Sequence, residues 1–170
     1  MQKRNVVGVS PLSKAHHNEK PPLLGGIQLQ SSIDIRRAPK VCYAYWRDFT
    51  HLPRFMTHLQ TVEVLDDRKS HWIVDGPADT TVEWDAELLE DVPNERISWR
   101  SLENAQIDNA GSVEFVPLDK GRATRVKVAL TYNPVLGRVG DLISHLFGET
   151  PDQDLTDDLS RLKQAIERGE

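Results

Sequence analysis

Histidines are the residues of this chain best suited to acid–base catalysis or metal binding, because imidazole titrates near neutral pH and ligates zinc. Zinc sites use short, regular ligand spacings such as His-x₃-His or His-Glu-x-x-His. The histidines of this chain keep no such spacing, and its single cysteine forms no Cys/His cluster with them. We therefore predict no metal site and no cofactor. The six histidines are His16, His17, His51, His58, His71 and His145.

Serine nucleophiles and acidic catalytic pairs also lack support. No serine lies in a Gly-x-Ser-x-Gly elbow, the motif that presents a nucleophile at a sharp turn. Glu83, Asp85 and Glu87 are spaced by two, which places them on one face of a predicted strand. We expect them to form solvated ion pairs with Arg96 and Arg100 of the next strand rather than to catalyse a reaction.

Aromatic residues at alternating strand positions are the stronger candidates for a binding site. Their rings suit a mostly apolar pocket, and the tryptophan N–H groups and the tyrosine hydroxyl are the few polar groups that orient a ligand there. Ordinary core packing is the alternative explanation, with backbone carbonyls as partners of these donors. The candidates on the strands are Trp72, Trp84, Trp99, Phe115 and Tyr132, and those on the C-terminal helix are Leu142, His145 and Leu146.

The elements that position these residues follow from the hydrophobic period. Ile27–Ile35 alternates as a half-buried strand, Pro39 opens a short helix that reaches Phe49, and Leu52–Met56 forms a second helical piece. Consecutive strands with short turns then predict an antiparallel meander with one dry and one wet face. The six strands are Thr61–Leu65, Ser70–Val74, Thr81–Leu89, Arg96–Ser101, Ser112–Val116 and Thr124–Tyr132, with Asn109–Gly111 as a turn.

The dry face of the seven strands needs a cover, and the C-terminal amphipathic helix is the only element long enough. Its apolar stripes are Leu142–Phe147 and Leu155–Ile166, and we expect them to face Trp84, Trp99, Phe115, Val128 and Tyr132. Thr150, Pro151 and Gln153 predict a restart of the helix, with Thr150 and Gln153 forming a capping box. Between the last strand and this helix, 133–140 is expected to be a connector, with a lid as the alternative.

Composition and charge narrow the classes of partner. The 170 residues carry a net charge of −5, and because residues 1–25 hold +3, the remainder holds −8. A body this acidic is poorly suited to bind nucleic acid. No apolar run is long enough for a membrane span, although transient membrane contact stays open. Cys42 stands alone, which favours a reducing, cytoplasmic location. Residues 1–25 have the composition of a disordered leader, and residues 26–170 form the predicted domain.

The order of elements and several segments resemble the helix-grip superfamily called SRPBCC, which includes START lipid-transfer domains and polyketide cyclases. The likeness is greatest to the bacterial cyclase/dehydrase branch, which also contains coenzyme-Q-binding START-like proteins. Leu52–Met56 and Ile97–Ser101 are the more specific segments, and the resemblance covers about residues 26 to 168. The other matching segments are Ala38–Phe49, Val62–Asp66, Val82–Glu87 and Arg96–Ser101.

The resemblance implies an α+β helix-grip fold: a seven-stranded curved antiparallel sheet, two short helices and a long C-terminal helix over an apolar cavity. It implies binding or transfer of a hydrophobic small molecule, such as a lipid, an isoprenoid quinone or a polyketide-like compound. A cyclase or dehydratase is the alternative, and it requires an acid or base inside the cavity, for which only His145 and Tyr132 qualify. A protein-interaction domain is the weaker alternative. The oligomeric state stays open.

Overall fold

The computed structural model describes residues 26–103, 105–134 and 150–170. Seven strands form one curved antiparallel sheet in the order β1-β7-β6-β5-β4-β3-β2, so the predicted meander is confirmed and the first strand closes against the last. The strands are β1 (Ile27–Ile35), β2 (Leu59–Val64), β3 (Lys69–Asp75), β4 (Thr81–Val92), β5 (Arg96–Ser101), β6 (Ile107–Leu118) and β7 (Ala123–Pro134).

Three α-helices accompany the sheet in the described part of the chain: α1 (Pro39–Arg47), α2 (Leu52–Phe55) and α3 (Pro151–Arg168), with a 3₁₀ turn at Phe49–His51. Proline occupies the first turn of each, as the sequence predicts for α1 and α3. Thr150 is the N-cap of α3, but the predicted capping box is wrong. Its side chain makes no capping bond, and the Gln153 amide instead donates to Asp157 Oδ1 at 2.9 Å, one turn along the helix.

The start of β6 differs from the prediction, because Asn109–Gly111 continues the strand instead of turning. These residues pair with β7, with Gly111 opposite Leu130, and on the other side Gly111 lies opposite Trp99 of β5. A Cβ atom on Gly111 would lie 2.2 Å from Trp99 Cζ2, so the indole ring covers this glycine directly. The glycine is therefore a packing position within a strand, and its turn propensity is overridden.

The outer face of the sheet is polar as predicted. Glu87 lies opposite Arg100 of β5, as expected, whereas the expected arginine partners of Glu83 and Asp85 are wrong. Glu83 and Asp85 contact His71 of β3, at 3.3 Å and 2.7 Å, rather than an arginine of β5. The reason is the register: β5 pairs with β4 only from Ala86 onward, so no β5 residue lies opposite Glu83 or Asp85, whereas His71 of β3 lies opposite Asp85. Arg96 pairs instead with Glu90 and Glu114, and Arg100 with Asp108.

Helix α3 connects the two edges of the sheet. Toward edge strand β1, Lys163 Nζ donates to the Asp34 carbonyl at 2.7 Å, and the Arg36 N–H donates to Glu167 Oε1 at 2.9 Å. Toward the other edge, Arg161 Nε donates to the Phe55 carbonyl at 3.0 Å, just before β2. Between these contacts the helix buries one apolar stripe, which consists of Leu155, Leu159, Leu162 and Ile166.

Candidate functional site

A stack of three tryptophans forms the centre of the inner sheet surface. Trp72 and Trp84 lie directly opposite each other on β3 and β4, with ring centroids 5.9 Å apart and nearly parallel. Trp99 of β5 is also nearly parallel to Trp72, with the ring centroids 6.0 Å apart. All three side chains are buried. The sequence assigned these residues to one face, and the register brings them into contact.

Aromatic rings of α1 and of the turn after it lie against this stack, which the sequence did not predict, while the predicted covering stripe Leu142–Phe147 lies outside the described residues. Phe49, in the 3₁₀ turn after α1, lies 5.9 Å from Trp72 and 6.1 Å from Trp99 between ring centroids. Trp46 of α1 lies 6.4 Å from Trp99. The described part of the long helix packs chiefly on β1 instead of on Trp84 and Trp99. The apolar side of α1 and of the turn after it ends in the large rings of Trp46 and Phe49, and these rings are the part that reaches the stack.

Two indole N–H groups of the stack and that of the neighbouring Trp46 have different surroundings. Trp72 Nε1 donates to Ser70 Oγ at 2.8 Å, which satisfies it within β3. Trp84 is only 4% exposed, so water does not reach its Nε1, and this atom has no hydrogen-bond partner among the described residues. Trp46 Nε1 is likewise without a partner there. A buried donor left unpaired costs about 1–3 kcal/mol, so Trp84 and Trp46 present donors that an acceptor in the interior would satisfy.

The other two strand candidates have surroundings of their own. Phe115 packs edge-on against Tyr43 of α1, with centroids 5.9 Å apart, so its immediate neighbour is a helix residue. Tyr132 is buried on β7. Burial raises the pKa of the Tyr132 phenol above its usual value, and the nearby charge of Asp158 raises it further. Tyr132 therefore stays protonated at neutral pH and retains a hydroxyl proton to donate.

A buried carboxylate on α3 is the main feature that the sequence did not reveal. Asp158 is 2% exposed, and its carboxylate contacts the guanidinium of Arg161 one turn further on. The Thr57 N–H donates to Asp158 Oδ1 at 3.5 Å, and His58 Nδ1 lies 3.8 Å from Oδ2. Burial raises the pKa of the Asp158 carboxyl, while Arg161 acts in the opposite direction.

His58 is neutral in this environment. Burial lowers the pKa of its imidazole to about 4. The ring therefore keeps an unprotonated nitrogen at neutral pH, next to a carboxylate that can stabilise a proton on it. Together with the Tyr132 hydroxyl, the interior holds a proton acceptor, a carboxylate and a proton donor, the types of group required for acid–base chemistry at a carbonyl.

Sequence reasoning passed over Asp158 because four acidic residues suit the N-terminal half of α3. The available signal was its position: it falls three residues after Leu155 and four before Leu162, on the apolar stripe. A carboxylate at such a position is either paired or functional. His58 offers a weaker signal, since it only precedes the buried Leu59.

Several predicted features lie outside the described residues. These are the site candidates Leu142, His145 and Leu146, most of the connector 133–140, and residues 1–25. In the part of the chain that the structure describes, no group of three or more His, Cys, Asp or Glu side chains is arranged to hold a metal ion. None of the described helices is long and apolar enough to cross a membrane.

Comparison with known proteins identifies the family. The sequence profile of the family described as "Polyketide cyclase / dehydrase and lipid transport" matches residues 35–160. The chain belongs to this family. It is 30% identical over 144 residues to a 17.2 kDa protein of Streptomyces lincolnensis encoded in the melC2-rnhH intergenic region, covering 82% of this chain and 89% of that protein.

Solved structures agree with the fold. The crystal structure of DR_A0006 from Deinococcus radiodurans is 43% identical, with a TM-score of 0.71, over 85% of this chain and 99% of that one. A START superfamily protein from Mycobacterium smegmatis matches with a TM-score of 0.66 at 15% identity, over 84% of this chain and 99% of that one. The resemblance drawn from the sequence is thereby confirmed for family and fold.

Proposed function

We propose that this protein binds and transfers a hydrophobic small molecule in the interior between the sheet and its helices. The observation that carries the proposal is the buried N–H of Trp84, which lacks a partner among the described residues and lies within an aromatic surface. The family description, which includes lipid transport, supports the same class of function.

The chemistry of this surface narrows the class of ligand. Aromatic rings favour an apolar body and accept a flat ring in an offset stack. The indole N–H is a donor only, so it selects a ligand that carries an acceptor such as a carbonyl oxygen. An isoprenoid quinone combines both features, and a polyketide-like aromatic ketone does so too. A saturated hydrocarbon lacks the acceptor.

The test compares two tryptophans that differ in one hydrogen bond. Trp84→Phe removes the unpaired N–H and keeps an aromatic ring, whereas Trp72→Phe removes an N–H already bonded to Ser70 and serves as the matched control. We expect calorimetric affinity for decylubiquinone to fall about five- to tenfold in Trp84→Phe, the worth of one hydrogen bond. Trp72→Phe should bind like the wild type.

A ligand without an acceptor completes the experiment. Binding of n-decylbenzene should be the same in both variants, because it makes no hydrogen bond. Equal quinone affinity in the two variants would remove the role of Trp84. Purified full-length protein that remains empty by native mass spectrometry after incubation with quinones and lipids would contradict the binding function itself.

A second candidate function, a cyclase or dehydratase, is favoured by the buried group of His58, Asp158 and Tyr132. In the proposed dehydration of a β-hydroxy carbonyl compound, neutral His58 accepts the α-proton while Tyr132 donates a hydrogen bond to the carbonyl oxygen. Asp158 stabilises the imidazolium. The imidazolium then returns its proton to the departing hydroxyl group, so that water leaves and a carbon–carbon double bond forms.

This reaction is testable with a 3-hydroxyacyl N-acetylcysteamine thioester, followed by ultraviolet absorbance of the conjugated product. His58→Gln should lower the rate at least about a hundredfold, the usual contribution of a general base. His71→Gln on the outer face is the matched control and should leave the rate unchanged. Wild-type protein with no turnover above buffer, or a His58→Gln variant as active as the control, would exclude this role.

A further inference from the structure

A concave surface rich in arginine lies at the C-terminal end of α3. One groove, of about 230 Å³, is lined by Tyr45, Arg54, Arg161, Gln164, Arg168 and Glu170. An adjoining groove shares Gln164 and Arg168 and adds Arg36, Arg37 and Glu167. Five arginines therefore face two glutamates on a chain whose net charge is −5. We call the two grooves together the arginine groove.

The arginines of this groove differ in whether their guanidinium groups are already bound to other groups of the protein. Arg36 and Arg37 are bound to Glu167, the first through its backbone N–H and guanidinium and the second through the Glu167 carbonyl. Among the residues that the structure describes, the ion pair of Arg168 is a solvated contact of 4.0 Å with Glu170. Arg54 makes no ion pair among the described residues. Arg54 and Arg168 therefore supply donors that are open to a ligand.

The helix dipole accounts for only part of this arrangement. Cations at a helix C-terminus are stabilised by the carbonyl end of the helix, which explains Arg168. Arg54 belongs to α2, more than a hundred residues away in sequence, and faces the same groove. Planar guanidinium groups that converge from two helices suit the bidentate binding of an oxyanion.

Arg161 links this outer surface to the interior. Its side chain is 40% exposed and lines the groove, yet Nη2 contacts the buried Asp158 and Nε donates to the Phe55 carbonyl at 3.0 Å. The same guanidinium therefore neutralises the interior carboxylate and ties α3 to the segment before β2. An anion in the groove would compete for it.

We propose that the arginine groove binds an oxyanion, a phosphate or carboxylate group, through Arg54, Arg168 and Gln164, and that its occupancy weakens the hold of Arg161 on Asp158. The anion is either free in solution or the headgroup of an anionic lipid in a bilayer. The coupling is reciprocal, so a change at Asp158 also alters anion affinity. The proposal concerns an outer site and does not depend on the identity of the interior ligand.

The site is tested by titrating full-length protein with inorganic phosphate and following arginine Nε–H resonances by NMR. The double variant Arg54→Gln/Arg168→Gln should lose at least tenfold in phosphate affinity. Arg96→Gln/Lys127→Gln has the same change in net charge, concerns two cations that pair with Glu90 and Glu114 on the outer sheet face and line neither groove, and should bind like the wild type. No saturable shift in the wild type, or equal weakening in both double variants, would overturn the site.

Two further measurements distinguish the source of the anion and the coupling. Co-sedimentation with vesicles of phosphatidylglycerol but not phosphatidylcholine, lost in Arg54→Gln/Arg168→Gln, assigns a lipid headgroup, whereas phosphate binding without co-sedimentation assigns a free anion. Phosphate should also shift the carboxyl carbon resonance of Asp158. If phosphate saturates the groove while that resonance stays unchanged, the coupling through Arg161 is refuted and the outer site stands alone.

Discussion

Replacing Gly111 with alanine tests whether the tryptophan stack fixes the packing of the central strands. The added Cβ would lie 2.2 Å from Trp99 Cζ2 and 2.5 Å from Cε2, well inside van der Waals contact. The rings of Trp72, Phe49 and Trp46 have centroids 6.0, 6.1 and 6.4 Å from that of Trp99, so the Trp99 ring has little room to shift. We therefore expect Gly111→Ala to destabilise the fold.

The expected magnitude results from two opposing terms. Alanine in place of a strand glycine would by itself stabilise the protein by about 0.5–1 kcal/mol, because the unfolded chain loses freedom. Overpacking a filled core costs about 1–3 kcal/mol. Because the new Cβ would lie 2.2 Å from a confined ring, we take the overpacking cost at its upper end, about 2–3 kcal/mol, so the net loss in the free energy of unfolding is about 1–2.5 kcal/mol. For a chain of this size Tm should then fall by roughly 2–10 °C.

Urea unfolding followed by far-ultraviolet circular dichroism measures this change. Trp99→Phe supplies the control, because the smaller ring lacks the atoms that the new Cβ would meet. The double variant Gly111→Ala/Trp99→Phe should be more stable than the sum of the single changes predicts, by about 1 kcal/mol or more. Additive effects, or a Gly111→Ala variant more stable than the wild type, would refute the packing argument.

Two pH predictions follow from the histidines. Burial lowers the pKa of His58, which lies beside Asp158, to about 4, against 6.5 in the unfolded chain. The neutral imidazole is therefore tolerated without cost above pH 6.5, and the free energy of unfolding decreases as pH falls from 6.5 to about 4. His58→Gln should remove roughly 2 kcal/mol of acid destabilisation between pH 7 and pH 5, measured by urea unfolding, and an unchanged slope would contradict this. The hydrogen bond with Asp85 raises the pKa of His71. The charged imidazole therefore stabilises the fold below pH 6.5, and this stabilisation is lost as pH rises through the pKa of His71 in the folded protein. His71→Gln should cost under about 1 kcal/mol at pH 6 and nothing at pH 9; a larger cost at pH 9 would reverse the sign.

The sequence alone predicted the strands in which apolar and polar residues alternate regularly, because that alternation determines which side chains are buried. β1 has the predicted bounds Ile27–Ile35 and β5 the predicted bounds Arg96–Ser101, because strict alternation with turn residues at each end leaves little ambiguity. The same alternation placed Trp72, Trp84 and Trp99 on one face. The start of β6 was wrong because Gly111 is required by a ring on the neighbouring strand, and no local pattern contains that contact.

The candidate site was less predictable, since its polar groups come from distant parts of the chain. His58 and Asp158 are separated by 100 residues and meet only because α3 reaches the edge of the sheet near β2. In the sequence, Asp158 is one of several acidic residues near the start of a helix, and His58 is a histidine with no other candidate site residue nearby. Assigning a role to either needs the angle at which α3 crosses the sheet, which depends on packing of the whole interior.

The clustering of aromatic residues has an optical consequence. All four tryptophans of the chain lie in one group, three of them stacked and the fourth, Trp46, 6.4 Å from Trp99. The entire tryptophan fluorescence therefore reports on a single location, and energy transfer among the rings pools their emission. A molecule entering beside any one indole would quench the signal of all, and the parallel rings should give an exciton couplet in circular dichroism that disappears when the stack is disturbed.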